Sequence, residues 1–430
     1  AVDGMRLVVF ALLLSLLAAC SPQRYVAKEI RSAEDRFQDH IGFYLYDPAT
    51  RKVLADHQAS QYFTPASNTK ILTLFASLTL LGDSIPALRF TDRGDSLIIW
   101  GTGDPTLFYN QVNVSNPVYS FLSTTTKPIY FSSSNFREDR FGPGWAWDDF
   151  NAAYSPERSV LPVFGNVMEI QVNEQTVRVA PDHFHQYVRE EAGNGRTRVE
   201  RLSREANDVV VKRGTRNVRD WIIPFRADDS VIARLLADTL KKSIPVIAEP
   251  LPASFQTLWT TPADSVYKVM MQQSDNFLAE QLLLACAGKI ADTLQTQIAI
   301  DYLLKNHLSD LPDKPVWVDG SGLSRYNLNT PRSLGRLWEK LLQTYPRERL
   351  FPLLATGGQP GTLRNWYVAN PPFVFGKTGS LANNHALSGY LITRKNKILV
   401  FALMNANFTQ SSNEVRTWMQ SLLTYIRDHY

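Results

Sequence analysis

Phe63-Thr64-Pro65-Ala66-Ser67-Asn68-Thr69-Lys70, running into Ile71-Leu72-Thr73-Leu74-Phe75-Ala76-Ser77-Leu78, is the stretch that decides the fold. Its second half is apolar on nearly every face, which predicts a helix buried on all sides. Gly82 suits the close of that helix. Ser67 therefore falls at the start of a buried helix, not in its middle. At i and i+3, the Ser67 hydroxyl and the Lys70 amine share one face within reach of each other. A serine hydroxyl is a poor nucleophile until a base takes its proton. A free lysine, with a reference pKa of about 10.4, is protonated at neutral pH and cannot be that base. Burial and a second cation nearby both favour its neutral form. A helix start also offers free N–H groups and a positive dipole end to a developing oxyanion.

Two further short motifs follow in order, Ser274-Asp275-Asn276 and Lys377-Thr378-Gly379. Lys377 could supply the second cation. S-x-x-K alone arises by chance in most chains of this length, so the ordered set carries the weight. Around these motifs the patterning is mixed. Ile41–Tyr46 and Val53–Ala55 read as strands joined by the turn Asp47-Pro48-Ala49-Thr50, and Tyr25–His40 reads as a polar tether entering an amphipathic helix. From about Ile85 to Pro252, short strand-like runs (Leu97–Trp100, Ile129–Phe131, Glu169–Val172, Val209–Lys212) are split by Gly, Pro, Asn and Asp. Helical periodicity returns at Asp264–Met271, Asn276–Ala287, Leu294–Lys305 and Ser333–Thr344. Phe373–Phe375, with Lys377-Thr378-Gly379 after it, and then Ala386–Thr393 and Ile398–Asn405 read as strands, the last two turning at Lys395-Asn396. An amphipathic helix follows at Ser412–Arg427. The fold class expected is α+β, with one sheet built from both ends of the chain and a helical block between. The expected divisions are 21–84 and 256–430 for the two parts of the main domain and 85–255 for a β-rich insertion.

With 430 residues, the chain exceeds what one hydrophobic core usually serves. A net charge of +4 and the lack of any dense Lys/Arg run give a nucleic-acid partner no electrostatic support. Arg6 precedes an apolar run from Leu7 to Ala19, too short for a comfortable membrane span and typical of a signal-peptide core. The run ends Leu17-Ala18-Ala19-Cys20, which resembles the bacterial lipobox with Cys20 as the lipidated residue. Residues 1–20 are accordingly expected to be a signal peptide and Cys20 a lipid anchor. Simple secretory cleavage near Ala19, with Cys20 incidental, is the alternative. Cys286 sits in an apolar run and is expected to be a small buried hydrophobe.

S-x-x-K, S-D-N and K-T-G in this order resemble the penicillin-recognising serine enzymes, the D-alanyl-D-alanine peptidases and serine β-lactamases. Gly101-Thr102-Gly103-Asp104-Pro105-Thr106-Leu107, Gly142-Pro143-Gly144-Trp145-Ala146-Trp147-Asp148-Asp149, Asp319-Gly320-Ser321-Gly322-Leu323-Ser324-Arg325 and Gly361-Thr362-Leu363-Arg364 narrow this. With the long insertion, they resemble the low-molecular-mass class C penicillin-binding proteins, peptidase family S13. The resemblance implies a β-lactamase/transpeptidase-like domain, with an antiparallel sheet flanked by helices. It implies that Ser67 attacks the penultimate D-alanine carbonyl of a stem peptide ending in D-Ala-D-Ala, and that Lys70 accepts the proton. Ser274 would relay it to the leaving amine, and Asn276 would hold the substrate's peptide amide. Lys377 and Thr378 would bind the terminal carboxylate, Gly379 would admit the substrate strand, and Ser67 and Ser380 N–H groups would form the oxyanion hole. β-Lactams would be covalent inhibitors, and no cofactor or metal is implied.

Other candidates are weaker. His183-Phe184-His185 would put two imidazoles on one face of a strand, without an evident third ligand. Gly101-Thr102-Gly103 lacks the Gly-Lys-Ser/Thr of a phosphate loop. Asp319 and Arg325 flank a Gly/Ser turn that suits loop-stabilising hydrogen bonds as well as substrate contact. Glu280 is expected in a structural ion pair, and Trp145 and Trp147 in packing, with stacking on glycan the alternative. A serine β-lactamase, or an inactive envelope-anchored binding protein, are the competing functions.

Overall fold

The computed structural model describes residues 21–215 and 219–430. The expected signal peptide and Cys20 lie outside them. The described residues form two compact units, one of 21–71, Asp310–Val316 and Asn327–Tyr430, the other of Leu72–Ser309 and Trp317–Tyr326.

The first unit is organised by one antiparallel sheet of six strands. Their order is Ala355–Thr356, Val374–Leu381, Asn384–Ile392, Ile398–Ala406, His40–Asp47, Lys52–His57. Strand side chains alternate between faces, and here each face has its own cover. Phe43, Leu45, Leu387, Leu391, Phe401 and Leu403 join one apolar core with the helices Pro22–Phe37 and Ser412–His429. Those helices meet through stacked Tyr25 and Tyr425, 3.8 Å between ring centroids, and through Phe37 against Trp418. The opposite face takes the helix Pro331–Thr344. There Trp338 donates its indole N–H to Ser388 Oγ at 2.8 Å, and Tyr390 donates to the Trp338 carbonyl at 2.7 Å. Gly335 allows the close approach, since a Cβ there would lie 2.5 Å from the Tyr44 ring.

The tether expected before the first strand is absent from the described residues. Helix begins at Pro22, with Ser21 capping the Arg24 N–H and Pro22 at the first helical position. Val26, Ile30, Ala33 and Phe37 recur every three or four residues and are all buried. That stripe is the amphipathic helix expected here, beginning where the polar tether was placed.

The second unit holds three sheets. One has the order Gln256–Thr260, Ile85–Asp92, Leu97–Trp100, Ile129–Ser132, with the last pair parallel. The others are Val188–Ala192, Val209–Arg213, Arg198–Arg201 and Arg219–Pro224, Val167–Val172, Val177–Ala180. Its helices include Lys70–Leu80 from Leu72 onward, Asp229–Leu240, Ala263–Gln272, Asn276–Ala291 and Thr296–Asn306. The helix Asn276–Ala291 is buried along its first thirteen residues apart from Asn276 itself, and Cys286 is fully buried within it. Burial pushes that thiol up to about 12, so it stays protonated and unreactive.

His183 and His185 are not on a strand. They lie in the short 3-10 helix Asp182–Tyr187, where Pro181 at the N-cap breaks the extended pattern. His183 meets Asp238 at 3.5 Å. Among the described residues, no group of three or more His, Cys, Asp or Glu is placed to hold a metal ion, and no helix is long and apolar enough to cross a membrane.

Candidate active site

Ser67 stands in a 3-10 turn, Ala66–Thr69, and the α-helix begins only at Lys70. The tighter turn follows from Pro65, which cannot donate, and from Ala66, held at φ +48 where a non-glycine residue is strained. Lys70 Nζ lies 2.9 Å from Ser67 Oγ. Ser67 is half-buried and therefore reachable, whereas Lys70 is 0% exposed.

The strand Val374–Leu381 supplies the third motif. Sequence pattern placed Lys377-Thr378-Gly379 after the strand; the structure puts all three inside it, because Gly376 and Gly379 weakened the strand signal without ending the ladder. Lys377 pairs with Ser388 and Gly379 with Ala386, so the pleat turns Lys377 and Gly379 toward the face on which Ser388 sits. Ser388 in turn donates a short hydrogen bond to Asn68 Oδ1, fastening the Ser67 turn to the sheet. Lys377 is fully buried and donates to the Thr378 carbonyl at 2.8 Å. Burial first, and then the neighbouring charge of Lys70, hold its amine well below the usual lysine range. The sequence leads one to expect Lys377 as the cation and Lys70 as the depressed amine; here the depressed amine is that of Lys377.

Gly379 is where strand and turn come closest. A Cβ there would lie 2.5 Å from the Pro65 carbonyl oxygen and 2.9 Å from the Ser67 nitrogen. Neither is a flexible side chain, so Gly379→Ala forces the strand off the turn. We expect a stability loss of about 1–3 kcal/mol in thermal melts, with acylation by a penicillin slowed.

Thr378 and Ser380 alternate to the other face. Thr378 donates to Thr362 Oγ1 at 2.8 Å, which brings the Gly361-Thr362-Leu363-Arg364 segment to the strand. Ser380 Oγ and His385 Nδ1 are 2.7 Å apart across the ladder. Burial, then Arg416 and Lys377, push the His385 imidazole down to about 3. The folded protein keeps the ring neutral while an unfolded chain protonates it near the ordinary value of 6.5, so the unfolded state binds more protons between these values. The stability from this site is full above the unfolded value and is lost as pH falls through the window toward 3. Melts between pH 4 and 7 should therefore show a steeper acid loss for wild type than for His385→Gln; equal slopes would remove His385 from the cause.

Ser274 and Asn276 belong to the second unit. Asp275 caps the helix Asn276–Ala291 by accepting from the Leu278 N–H at 3.0 Å, and Tyr109 donates to its other oxygen at 2.5 Å. Ser274, just outside the cap, is held at φ +61. Asn276 donates to the Tyr154 carbonyl at 2.9 Å. Asp319 and Glu280 serve the loop behind this helix. Asp319 accepts from the Gly322 and Ser324 N–H groups and from the Trp145 indole, and Glu280 accepts from the Ser321 N–H. Burial, then Asp319, push the Glu280 carboxyl up to about 7, and Arg158 at 3.6 Å opposes this. Trp145 is thereby fixed, whereas Trp147 is 75% exposed. Asn68, Thr362, Tyr109 and His385 were missed as site residues; Thr362 alone had a signal, in the Gly361–Arg364 motif.

A Ser–Lys turn fastened to an antiparallel sheet that carries K-T-G on its inner strand defines the β-lactamase/transpeptidase-like class of serine enzymes. Within that class the chain belongs to the D-Ala-D-Ala carboxypeptidase 3 (S13) family, which its residues 25–426 match. It is 22% identical to the D-alanyl-D-alanine carboxypeptidase DacB of Haemophilus influenzae, over 91% of this chain and 90% of that protein. It is 24% identical to a D-alanyl-D-alanine carboxypeptidase of an Actinomadura species, over 85% and 77%. The crystal structure of penicillin binding protein 4 from Haemophilus influenzae shares the fold, with a TM-score of 0.74 at 20% identity over 91% of this chain and 97% of that one.

Proposed function

We propose that this chain, a D-Ala-D-Ala carboxypeptidase by family, works through an acyl-enzyme on Ser67 and takes peptidoglycan stem peptides as substrate. The observation that carries the assignment is the 2.9 Å contact between Ser67 Oγ and Lys70 Nζ beside the buried amine of Lys377. As Ser67 attacks the penultimate D-alanine carbonyl, its hydroxyl proton passes to the deprotonated form of the Lys70 amine. The N–H groups of Ser67 and Ser380 receive the oxyanion. Ser274 passes the proton to the leaving D-alanine, and Asn276 holds the peptide amide. Lys377 and Thr378 take the terminal carboxylate, and Gly379 leaves room for the substrate strand. Water then frees the shortened peptide by the same proton route. Cross-linked stem peptides present the same bond, so DD-endopeptidase activity follows from the same chemistry. β-Lactams mimic the acyl donor and stall as Ser67 esters.

The family's cell-wall substrate supports an envelope location. We also assign residues 1–20 as a signal peptide with Cys20 as lipid anchor, and residues 85–255 as an insertion in the catalytic domain. The test is incubation with a pentapeptide ending in D-Ala-D-Ala: released D-alanine is expected, and none overturns the assignment.

A further inference from the structure

The second unit contains a cavity of about 670 Å³, and the Ser274–Asn276 turn forms part of its wall. Phe108, Tyr109, Tyr154 and Phe164 supply aromatic faces. Phe108 and Phe164 stack at 4.9 Å, and Tyr154 is 51% exposed. Ile222, 36% exposed, lies at the cavity on the strand Arg219–Pro224. Glu169 reaches it from the neighbouring strand Val167–Val172, paired directly with Ile222.

Beyond the Ser274–Asn276 turn, the charge pattern of this wall does not suit the carboxylate-bearing parts of a stem peptide. Among the described lining residues there is no Lys, Arg or His, yet Glu169 and Asp275 are both present. Asp275 is engaged by Tyr109 and the Leu278 N–H. The half-buried Glu169 carboxylate has neither an ion pair nor a side-chain hydrogen bond among the described residues. A stem peptide carries several carboxylates, and seating them beside two more with no cation is opposed by desolvation and repulsion. A lone ammonium would satisfy Glu169 but leave most of so large a cavity, and the exposed Tyr154 ring, unfilled. An uncharged sugar fits both: its ring lies on aromatic faces, its hydroxyls donate to a carboxylate, and its acetamide meets the side-chain amides of Gln111 and Gln273.

Resting on the carboxypeptidase assignment, we propose that this cavity binds an N-acetylhexosamine of the glycan to which the stem peptide is attached. The preferred substrate is then the peptide still on its sugar, not the free peptide.

The full chain is assayed for D-alanine release from a free pentapeptide and from the same pentapeptide on an N-acetylglucosaminyl-N-acetylmuramyl disaccharide. Wild type is expected to show a kcat/KM about tenfold higher for the glycosylated form. Ile222→Arg, which fills the cavity from an exposed position, and Glu169→Gln should each bring the ratio to within about twofold of unity. Both should leave free-peptide turnover and acylation by a fluorescent penicillin at wild-type levels. Equal kcat/KM for the two substrates in wild type overturns the proposal, as does an advantage that survives both variants. So does a preference that disappears on acetylating the peptide's free amine while ignoring the sugar. A wild type that neither releases D-alanine nor takes the label overturns the catalytic assignment instead, so the two failures are distinguishable.

Discussion

Ser67→Ala is expected to abolish covalent labelling by a fluorescent penicillin and to lower D-alanine release by about 10⁴-fold or more. The change removes one oxygen and with it the Lys70–Ser67 contact. The anchors of the turn lie elsewhere: Asn68 is tied to Ser388, and the Asn68 N–H donates to the Pro65 carbonyl. The variant should therefore fold, with circular dichroism and melting close to wild type, and still bind a stem peptide reversibly. A labelled band from the folded variant would move the nucleophile to another residue.

Lys70→Met is expected to give the second largest effect, slowing acylation by about 10³-fold or more at neutral pH. Methionine keeps the unbranched bulk that a fully buried site requires, but it cannot take a proton. Removing the ammonium also relieves Lys377 of the neighbour that depresses its amine. In the variant the Lys377 amine should therefore rise toward its ordinary value, with burial still holding it down. Residual acylation should accordingly peak at a different pH from wild type. Wild-type rates in a folded Lys70→Met protein would assign the base elsewhere.

How legible these features were follows from their physics. Ser67, Lys70, Ser274, Asn276 and Lys377 lie in short motifs whose order survives in the linear chain. The buried helix after Ser67 announced itself by apolarity on nearly every face, and the hairpin Asn384–Ile392 and Ile398–Ala406 by two apolar runs around Lys395-Asn396. Contacts that close between distant segments left no such mark. The Asn68–Ser388 bond joins residues on different elements, and neither residue type signals the other. His385 looked like a polar strand residue, yet its neutrality comes from burial and from Arg416 and Lys377. The helix Pro22–Phe37 was legible as an amphipathic pattern, and charge obscured only where it starts. The helix Asp229–Leu240 was lost among the surrounding turn residues, although Asp228 caps it in the usual way.

One feature of the sheet bears on how the molecule is made. The strand His40–Asp47 is bonded along its length to Ile398–Ala406, so that Tyr46 must wait for Val400, roughly 350 positions later, before it has a partner on that side. During synthesis the early strand leaves the ribosome with one long edge open. Pairings of such separation close slowly because the intervening chain must first be brought round. Ser67, carried between these two strands in sequence, acquires its completed sheet only after the strand Ile398–Ala406 has been made. Until that strand arrives the early hairpin keeps one edge unpaired, and a chain cut short before Ile398 would lack the strand that joins the two halves of the sheet.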